Sequence, residues 1–250
     1  MIEQHNTVIV INARMASASL PGRPMADING VPMIVEVWKR AVAANIGHVL
    51  VAASENQIAD AIRNVGGDAM TTEAKLYRGP GQIAAALSLR DSALRFQYVL
   101  ALPDNMPTID ALTMRRCLAA LSNDSVEIAT IAALITDETD KNNPHIVKAI
   151  TPLDGGREVA YARGFVRQVS ADMKAPFWRH CEVYAYRRTA LAKFAALPAS
   201  APEHDDRPTD AMRAVAHDMK VAVVKVDWVP LAVDNSNDLE NARRQLKDQK

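Results

Sequence analysis

The sequence contains few cysteines and few aromatic residues. Cys117 and Cys181 are the two cysteines among 250 residues, and they lie far apart with no CxxC motif beside them. This usage argues against a zinc ribbon, a redox pair or a disulfide-stabilised scaffold and is typical of a reducing cytosol. Aromatic residues make up 5% of the chain, so base-stacking platforms for single-stranded nucleic acid are not expected.

The chain also lacks an excess of either charge. Lysine and arginine together number 29, aspartate and glutamate also number 29, and the formal net charge is +0 with neutral histidines. A general nucleic-acid binder carries a basic excess that neutralises phosphates, so no nucleic-acid partner is predicted. A zero sum still allows local basic clusters, because it does not say where the charges lie.

Long apolar runs are missing as well. No stretch approaches the roughly 20 apolar residues that span a bilayer, and the apolar run near the N-terminus is too short for a signal peptide. With 49% hydrophobic and 23% charged residues, the composition is that of a globular protein rather than a disordered one. We therefore expect a soluble, cytoplasmic protein with no membrane partner.

What the chain does contain is an alternation of short apolar runs with helix-period segments. Residues 8–11 form a continuous β-branched run that is typical of a strand buried on both faces. The β-α-β-α order that follows favours a mostly parallel sheet with helices on both faces. Strands are predicted at 8–11, 48–53 and 98–102, and helices at 32–44, 56–65, 81–95 and 109–121.

After about residue 126 the order of predicted elements changes, and the strands no longer alternate with helices. Strands are predicted at 126–135, 146–151, 158–161, 181–187 and 221–226, with a hairpin turn at 154–156. Helices are predicted at 189–197, 208–217 and 237–247. The prediction is one Rossmann-like α/β domain over residues 1–250, with three α/β/α layers and an inserted antiparallel lobe at about 140–190.

The loop after the first predicted strand has the residues of an anion-binding segment. Ser17, Ser19 and Gly22 leave backbone N–H groups accessible to phosphate oxygens. Arg14 and Arg23 add charge-assisted donors at the carboxyl end of a strand, where open α/β sheets bind ligands. The same residues also fit a surface loop with two solvated arginines, and the loop alone does not decide between the two.

Motifs along nearly the whole chain resemble those of the 3-deoxy-manno-octulosonate (Kdo) cytidylyltransferases. The loop NARMASASLPGRP resembles the family's ARxxSxxLPGKP, and the following ADINGVPMI resembles its DINGKPMI. Further matches in the same order are NP and VK within 143–148, AR at 162–163, RHCEVYAYR at 179–187 and VDNSNDLE at 233–240. The resemblance implies the nucleotidyltransferase fold and transfer of CMP from CTP to a Kdo-like ulosonic acid. It also implies release of pyrophosphate and a role in activating a lipopolysaccharide precursor.

The resemblance further implies a set of nucleotide and metal residues. Arg14, Asp104 and Asp234 are predicted as catalytic, and Asp104 and Asp234 as ligands of Mg²⁺, an ion that takes one or two carboxylates beside substrate phosphates. Asn105 takes the place of the family's first metal-binding carboxylate, and Asp104 lies one position before it. The predicted nucleotide-binding residues are Ala13, Arg14, Ser17, Arg23, Arg78 and Gln82.

The acidic sugar is expected to bind in the inserted lobe, which the resemblance also places at the contact of a homodimer. Lys148, Arg163 and His180 form a candidate cationic set for the sugar carboxylate. Tyr184 and Tyr186 would share a strand face with His180, although such a pair also fits a packing contact. The predicted substrate-binding residues are Asn105, Lys148, Arg163, His180, Tyr184 and Tyr186.

Replacements in two family segments leave two alternatives open. PDNMP stands at 103–107 where the family has QGDEP, and RGPGQ stands at 78–82 where it has SGTER. One alternative is a homologue that binds nucleotide or sugar without turnover. The other is a cytidylyltransferase that acts on a different acidic sugar.

Overall fold

The computed structural model describes residues 1–17, 19–72, 79–153, 156–170, 172–198 and 208–247. In this part of the chain the strands are β1 (Thr7–Ala13), β2 (Asp27–Ile28), β3 (Val31–Pro32), β4 (His48–Ala53), β5 (Asp68–Thr71), β6 (Tyr98–Pro103), β7 (Ile128–Leu134), β8 (Lys148–Ile150), β9 (Val159–Tyr161), β10 (Gly164–Val166), β11 (Trp178–Arg187) and β12 (Val221–Val226). The helices of the same residues are α1 (Met33–Ala44), α2 (Asn56–Arg63), α3 (Pro80–Arg90), α4 (Ala111–Ala119), α5 (Glu138–Asn142), α6 (Arg188–Ala195), α7 (Asp210–Ala216) and α8 (Ser236–Lys247). None of these helices is both long and apolar enough to cross a membrane.

The chain forms two compact units, and the first comprises Met1–Arg115 and Pro230–Lys250. Its parallel strands have the order β5-β4-β1-β6, and the short strands β2 and β3 pair antiparallel. Residues 8–11 of β1 are fully buried, because the strand is paired along both edges and helices α1 and α3 contact it. The predicted strands at 8–11, 48–53 and 98–102 are confirmed.

Helices α1 and α2 pack as their sequence patterns predict. Ile34, Val37 and Ala41 of α1 are buried along one stripe. The chain leaves α2 through Gly66, whose φ of 82° is a left-handed conformation that favours glycine. A Cβ atom on Gly67 would lie 2.6 Å from a side-chain carbon of α2, so the backbone can pass this close only without one. The predicted Gly66–Gly67 cap is therefore confirmed.

The second unit, Arg116–Val229, contains a mixed sheet. Its strand order is β11-β7-β12-β9, in which β12 runs parallel to β7 while β11 and β9 run antiparallel to their neighbours. Strand β8 pairs antiparallel with both β10 and β11. The predicted α/β fold class is confirmed, whereas the single domain with a lobe at about 140–190 stays a prediction.

The prediction of a helix over 81–95 is wrong at its carboxyl end. Helix α3 ends at Arg90, and the carboxylate of the buried Asp91 accepts the backbone N–H groups of Arg95 and Phe96. Leu94 then takes a φ of 52°, which turns the chain toward β6. The Asp91 side chain thus ends the helix, although the composition of the residues that follow suits a longer helix.

Several short elements have no counterpart in the sequence prediction. Strands β5 and β10 and helix α5 contain four, three and five residues, and none of them includes a continuous apolar run. A periodic apolar pattern cannot be recognised in segments this short. The predicted hairpin turn at 154–156 lies mostly outside the described residues.

Candidate active site

The carboxyl ends of two neighbouring strands in the first unit bring the anion-binding loop and the acidic segment together. Strands β1 and β6 pair in parallel with Asn12 opposite Pro103. The residues that follow are therefore adjacent, and the Arg14 backbone N–H lies 3.4 Å from Asp104 Oδ2, to which it donates. In parallel α/β sheets this edge is where ligands bind.

Hydrogen bonds curl the loop back toward the strand ends. Ser17 Oγ accepts the N–H of Leu20 at 3.3 Å, and the Gly22 N–H donates to the Met15 carbonyl at 3.0 Å. Gly22 has a φ of 72°, and the 3₁₀ turn Arg23–Met25 begins directly after it. The curl brings the Arg23 side chain to the edge of the sheet.

Arg23 links two carboxylates at this edge. Its guanidinium donates from Nη2 to Asp104 Oδ1 at 2.7 Å and from Nη1 to Asp234 Oδ1 at 3.0 Å. The Asp104 side chain is 4% exposed, whereas that of Asp234 is 60% exposed. Burial raises the pKa of the Asp104 carboxyl above its ordinary value, although the charge of Arg23 acts in the opposite direction.

Arg23, Asp104, Asn105 and Asp234 form a cluster of contacting polar side chains. The segment that begins at Pro230 supplies Asp234 to this cluster. The Val233 N–H donates to the Asn105 carbonyl at 2.8 Å, and the Ser19 hydroxyl donates to the Asp234 carbonyl at 2.6 Å. Asn105 Nδ2 also donates to Asp234 Oδ1 at 2.9 Å. The two predicted metal residues, Asp104 and Asp234, therefore both contact the Arg23 side chain, and their role as metal ligands stays a prediction.

Reciprocal capping at the start of α8 fixes the backbone of Asp234. Asn235 Oδ1 accepts the N–H groups of Asn237 and Asp238 at 2.9 and 3.0 Å, so the predicted cap at Asn235 or Ser236 is Asn235. In return, Asp238 Oδ2 accepts the N–H groups of Asp234 and Asn235 at 3.0 and 3.2 Å. The Asp234 backbone is thus held at its N–H by Asp238 and at its carbonyl by Ser19.

Two buried polar atoms of the cluster have no hydrogen-bond partner within the described residues. They are Asn105 Oδ1, which is an acceptor, and Arg23 Nε, which is a donor. An amide oxygen beside two carboxylates suits a hard cation such as Mg²⁺, and a guanidinium donor suits a phosphate oxygen. The described residues contain no group of three or more His, Cys, Asp or Glu side chains that could hold a metal ion. Two carboxylates and one amide oxygen are fewer ligands than Mg²⁺ takes, so phosphates and water would have to complete its coordination.

Two of the other predicted nucleotide residues of the first unit, Ala13 and Gln82, have contacts within the fold. Ala13 ends β1, and its carbonyl accepts a backbone N–H from the segment after β4 at 2.9 Å. The buried Gln82 donates from Nε2 to the Ala52 carbonyl at 3.1 Å and to Thr72 Oγ1 at 3.0 Å. Arg78 lies outside the described residues. Nucleotide binding by these three residues stays a prediction.

Of the two predicted cations that precede β11 in the second unit, one is buried and one is exposed. Lys148 is 0% exposed, and its Nζ donates to the carbonyls of Asn143 at 2.6 Å and Arg167 at 2.7 Å. Desolvation lowers the pKa of its ammonium group. Arg163 is exposed, and its backbone N–H donates to the Ile150 carbonyl at 2.7 Å. The Lys148 ammonium group is thus hydrogen-bonded to two backbone carbonyls.

His180 is buried on β11, with Nε2 at 2.9 Å from Thr130 Oγ1. The same hydroxyl lies 3.0 Å from the Cys181 carbonyl and 2.9 Å from the Val183 carbonyl. The single hydroxyl proton points to one of these carbonyls, so His180 Nε2–H donates to Oγ1 and Nδ1 carries no proton. Burial lowers the pKa of His180 to about 3. His180 is therefore neutral, which corrects its predicted place in a cationic set.

The two predicted tyrosines follow His180 along β11 and are buried. The ring centroids of His180 and Tyr184 lie 5.7 Å apart and those of Tyr184 and Tyr186 lie 5.9 Å apart, which confirms that they line one face. The Tyr184 hydroxyl accepts the Ala211 N–H at 3.2 Å, and the Tyr186 ring stacks on Phe194. These are packing contacts, and a role in binding substrate stays a prediction.

The sequence prediction misses Glu55. Its Oε2 accepts the Met15 N–H at 3.0 Å and so holds the first turn of the loop. Glu55 follows β4, which is the parallel neighbour of β1. The available signal for Glu55 was its position just after the predicted strand 48–53, because the carboxyl ends of parallel strands share one edge.

A family model described as cytidylyltransferase matches residues 8–242. This range contains the loop, both strand ends and both carboxylates of the cluster. The chain belongs to the cytidylyltransferase family. The family that the motifs resemble is thereby confirmed.

Relatives match this cytidylyltransferase over nearly its whole length. The 3-deoxy-manno-octulosonate cytidylyltransferase of Parvibaculum lavamentivorans is 42% identical over 239 residues, which cover 96% of this chain and 92% of that protein. The protein of the same name from Rhodospirillum rubrum is 40% identical over 240 residues, which cover 96% and 95%. A solved structure of CMP:2-keto-3-deoxy-manno-octonic acid synthetase complexed with CTP matches with a TM-score of 0.85 at 26% identity, covering 98% of this chain and 99% of that one.

Proposed function

We propose that this cytidylyltransferase transfers CMP from CTP to Kdo or a closely similar ulosonic acid. The main support is the meeting of Arg23, Asp104 and Asp234 beside the anion-binding loop. In the reaction a hydroxyl oxygen of the sugar acid forms a bond to the α-phosphorus of CTP. The bond from that phosphorus to the bridging oxygen breaks, pyrophosphate leaves with the electron pair, and the hydroxyl proton passes to solvent.

The residues of the first unit bind and orient the nucleotide. Arg14 and Arg23 supply charge-assisted donors for the triphosphate, and the loop that Ser17 and Gly22 shape adds backbone N–H groups. No side chain has to act as a nucleophile in such a transfer, so positioning and charge neutralisation supply the rate enhancement. The loop therefore binds the phosphates of CTP.

Asp104 and Asp234 would hold the Mg²⁺ ion of the reaction, and the unpartnered Asn105 Oδ1 is a third oxygen in the same cluster. When bound, Mg²⁺ neutralises charge on the phosphate oxygens and lowers the pKa of the attacking hydroxyl. The buried Asp104 provides the fixed carboxylate, while the exposed Asp234 provides the one that substrate can approach.

The second unit would recognise the acidic sugar. Arg163 is exposed and provides the cation for the sugar carboxylate. His180 is neutral, and its unprotonated Nδ1 suits a hydroxyl donor rather than a carboxylate. Lys148 orients the surrounding backbone through its two carbonyl contacts.

The cellular setting is proposed on the same basis. Activation of a lipopolysaccharide precursor in the cytoplasm agrees with the named activity of the relatives. The homodimer is proposed from the motif resemblance alone. Light scattering after size-exclusion chromatography measures the mass of the assembly. A mass of one chain would contradict the dimer and would leave the proposed reaction unaffected.

Pyrophosphate release tests the reaction directly. The full chain is incubated with Mg²⁺, CTP and a panel of ulosonic acids that includes Kdo, with ATP, GTP and UTP as alternative nucleotides. We expect release with CTP and Kdo and much slower release with the other nucleotides. Binding of CTP with no release on any acceptor would overturn the assignment as an enzyme, and release only with another acid would correct the acceptor.

A further inference from the structure

The two carboxylates assigned to the metal are already held by a positively charged side chain. The Arg23 guanidinium donates to Asp104 Oδ1 at 2.7 Å and to Asp234 Oδ1 at 3.0 Å. Asp234 Oδ1 also accepts from Asn105 Nδ2 at 2.9 Å. A divalent cation that binds Asp234 Oδ1 directly therefore has to replace a donor that belongs to the protein.

We propose that Arg23 is an internal counter-cation that competes with the divalent metal for Asp104 and Asp234 and leaves them when a triphosphate binds. This inference rests on the proposed function, because it takes the two carboxylates as metal ligands. It adds that the protein binds metal and nucleotide as a coupled pair. Without nucleotide, Arg23 keeps the metal site closed.

The competition follows from the burial of Asp104. An unpaired charge in a buried position is strongly unfavourable, so this carboxylate needs a cation beside it. Arg23 meets that need without nucleotide, and a metal ion can meet it when Arg23 departs. Asp234 Oδ1 has two lone pairs, and Arg23 and Asn105 already use both. Direct metal coordination through this oxygen therefore displaces at least one of these two donors.

The triphosphate is the ligand that can draw Arg23 away. A planar guanidinium binds phosphate oxygens through two parallel hydrogen bonds, and a triphosphate carries more charge than the two carboxylates together. Arg23 Nε is buried and has no partner within the described residues, so this donor is available to an anion. Since coupling between two ligands is reciprocal, a nucleotide that favours metal binding is itself favoured by the metal.

The first experiment measures metal binding without nucleotide. The full chain at pH 8 is titrated with Mn²⁺, and free Mn²⁺ is followed by electron paramagnetic resonance. We expect Arg23→Met to bind Mn²⁺ at least about tenfold more tightly than the unsubstituted protein, a size within the usual range of coupling between sites. Arg23→Lys keeps one charge but loses the fork geometry, and we expect an intermediate affinity.

A control removes an arginine that also pairs with a carboxylate but lies outside the cluster. Arg63 pairs with Asp60 on α2 at 2.9 Å, and Arg63→Met is expected to leave the Mn²⁺ affinity unchanged. Circular dichroism verifies that each variant is folded. Equal Mn²⁺ affinities for folded Arg23→Met, folded Arg23→Lys and the unsubstituted protein would overturn the proposal.

The second experiment observes the side chain itself. The Arg23 Nε–H signal is assigned in a ¹H–¹⁵N spectrum by its loss in Arg23→Lys. Addition of CTP in the presence of EDTA is expected to shift this signal, because the guanidinium exchanges carboxylates for phosphates. CTP binding that leaves the Arg23 signal in place would also overturn the proposal.

Pyrophosphate release separates this inference from the proposed function. If the protein turns over CTP and Kdo while Arg23→Met binds Mn²⁺ no more tightly, the counter-cation proposal fails and the function stands. If Arg23→Met does bind more tightly and CTP does shift the Arg23 signal, but no acceptor releases pyrophosphate, the counter-cation stands and the function fails.

Discussion

The two units stabilise their buried charges in different ways. In the first unit, the buried Asp104 is paired with Arg23, which also contacts the exposed Asp234. In the second unit, the buried Lys148 is paired with backbone carbonyls, and the buried His180 is kept neutral. Side-chain ion pairs can exchange partners when a ligand arrives, whereas carbonyls fixed by strands and turns cannot. Substitutions in the first cluster should therefore change ligand binding, and those in the second should change stability.

Removing the ammonium group of Lys148 is expected to have the largest effect on stability. In Lys148→Met the part-buried carbonyls of Asn143 and Arg167 lose a charged donor, and a buried methyl group takes its place. We expect the free energy of unfolding to fall by about 3 kcal/mol. Urea unfolding followed by circular dichroism measures it. Lys193 is 54% exposed and pairs with Glu127, so Lys193→Met is a control that should change stability by less than about 0.5 kcal/mol.

Substituting Asp234 should affect the reaction instead of the fold. Its side chain is 60% exposed, so Asp234→Asn is expected to change the free energy of unfolding by less than about 0.5 kcal/mol. The rate of pyrophosphate release should fall about 100-fold, because a neutral amide binds Mg²⁺ more weakly. Asp60, which is 61% exposed and pairs with Arg63, provides the control Asp60→Asn. Unchanged rates in Asp234→Asn would show that the metal assignment is wrong.

The second unit should also show two pH effects of opposite sign. Burial lowers the pKa of His180 from 6.5 to about 3, so below pH 6.5 only the unfolded state takes up its proton and stability falls. Burial and the neighbouring Glu182 raise the pKa of Asp210 from 3.8 to about 7, so below pH 7 only the folded state takes up that proton and stability rises. Each slope is about 1.4 kcal/mol per pH unit, and the two offset each other between about pH 4 and 6.5.

Single substitutions separate these two contributions. We expect the free energy of unfolding of Asp210→Asn to decrease as the pH falls from 6.5 to 4.5, because the His180 contribution is then unopposed. His180→Gln should show the reverse trend over the same range. Urea unfolding at several pH values compares the slopes. Parallel profiles for the two variants would contradict the protonation states assigned to them.

The smallest expected effect concerns the loop of the first unit. Ser17→Ala removes the acceptor of the Leu20 N–H and loosens the curl before Gly22. Loss of one part-buried hydrogen bond costs about 0.7 kcal/mol, so the KM for CTP should rise about threefold at constant kcat. Ser88 donates to a carbonyl within α3, and steady-state kinetics of Ser88→Ala should match those of the unsubstituted protein. A lower kcat in Ser17→Ala would place this residue in the chemical step.

Strands with continuous apolar runs could be predicted from the sequence, and short elements could not. Residues 8–11 and 49–53 are buried apolar runs whose identity as strands does not depend on neighbours. Strand β5 (Asp68–Thr71) contains two polar residues and forms because β4 offers it a parallel edge. The end of α3 depends on the carboxylate of Asp91, which composition does not reveal.

The candidate site divides in the same way. The loop residues and both carboxylates could be named from the sequence, because they lie in motifs that resemble those of the family. That Arg23 contacts both carboxylates could not, since it depends on the left-handed turn at Gly22 and on the return of the chain from Pro230. The neutral state of His180 depends on burial and on Thr130, which only the folded unit supplies.

The discontinuous first unit has a consequence for synthesis on the ribosome. Asn105 and Asp234 are 129 residues apart in sequence, and the whole of the second unit is made between them. At about 5–20 residues per second, Asp234 emerges on the order of ten seconds after its partners. During that interval Arg23 is already present to neutralise Asp104. The nascent protein therefore contains a cation for Asp104 before the second carboxylate of the proposed metal site is made.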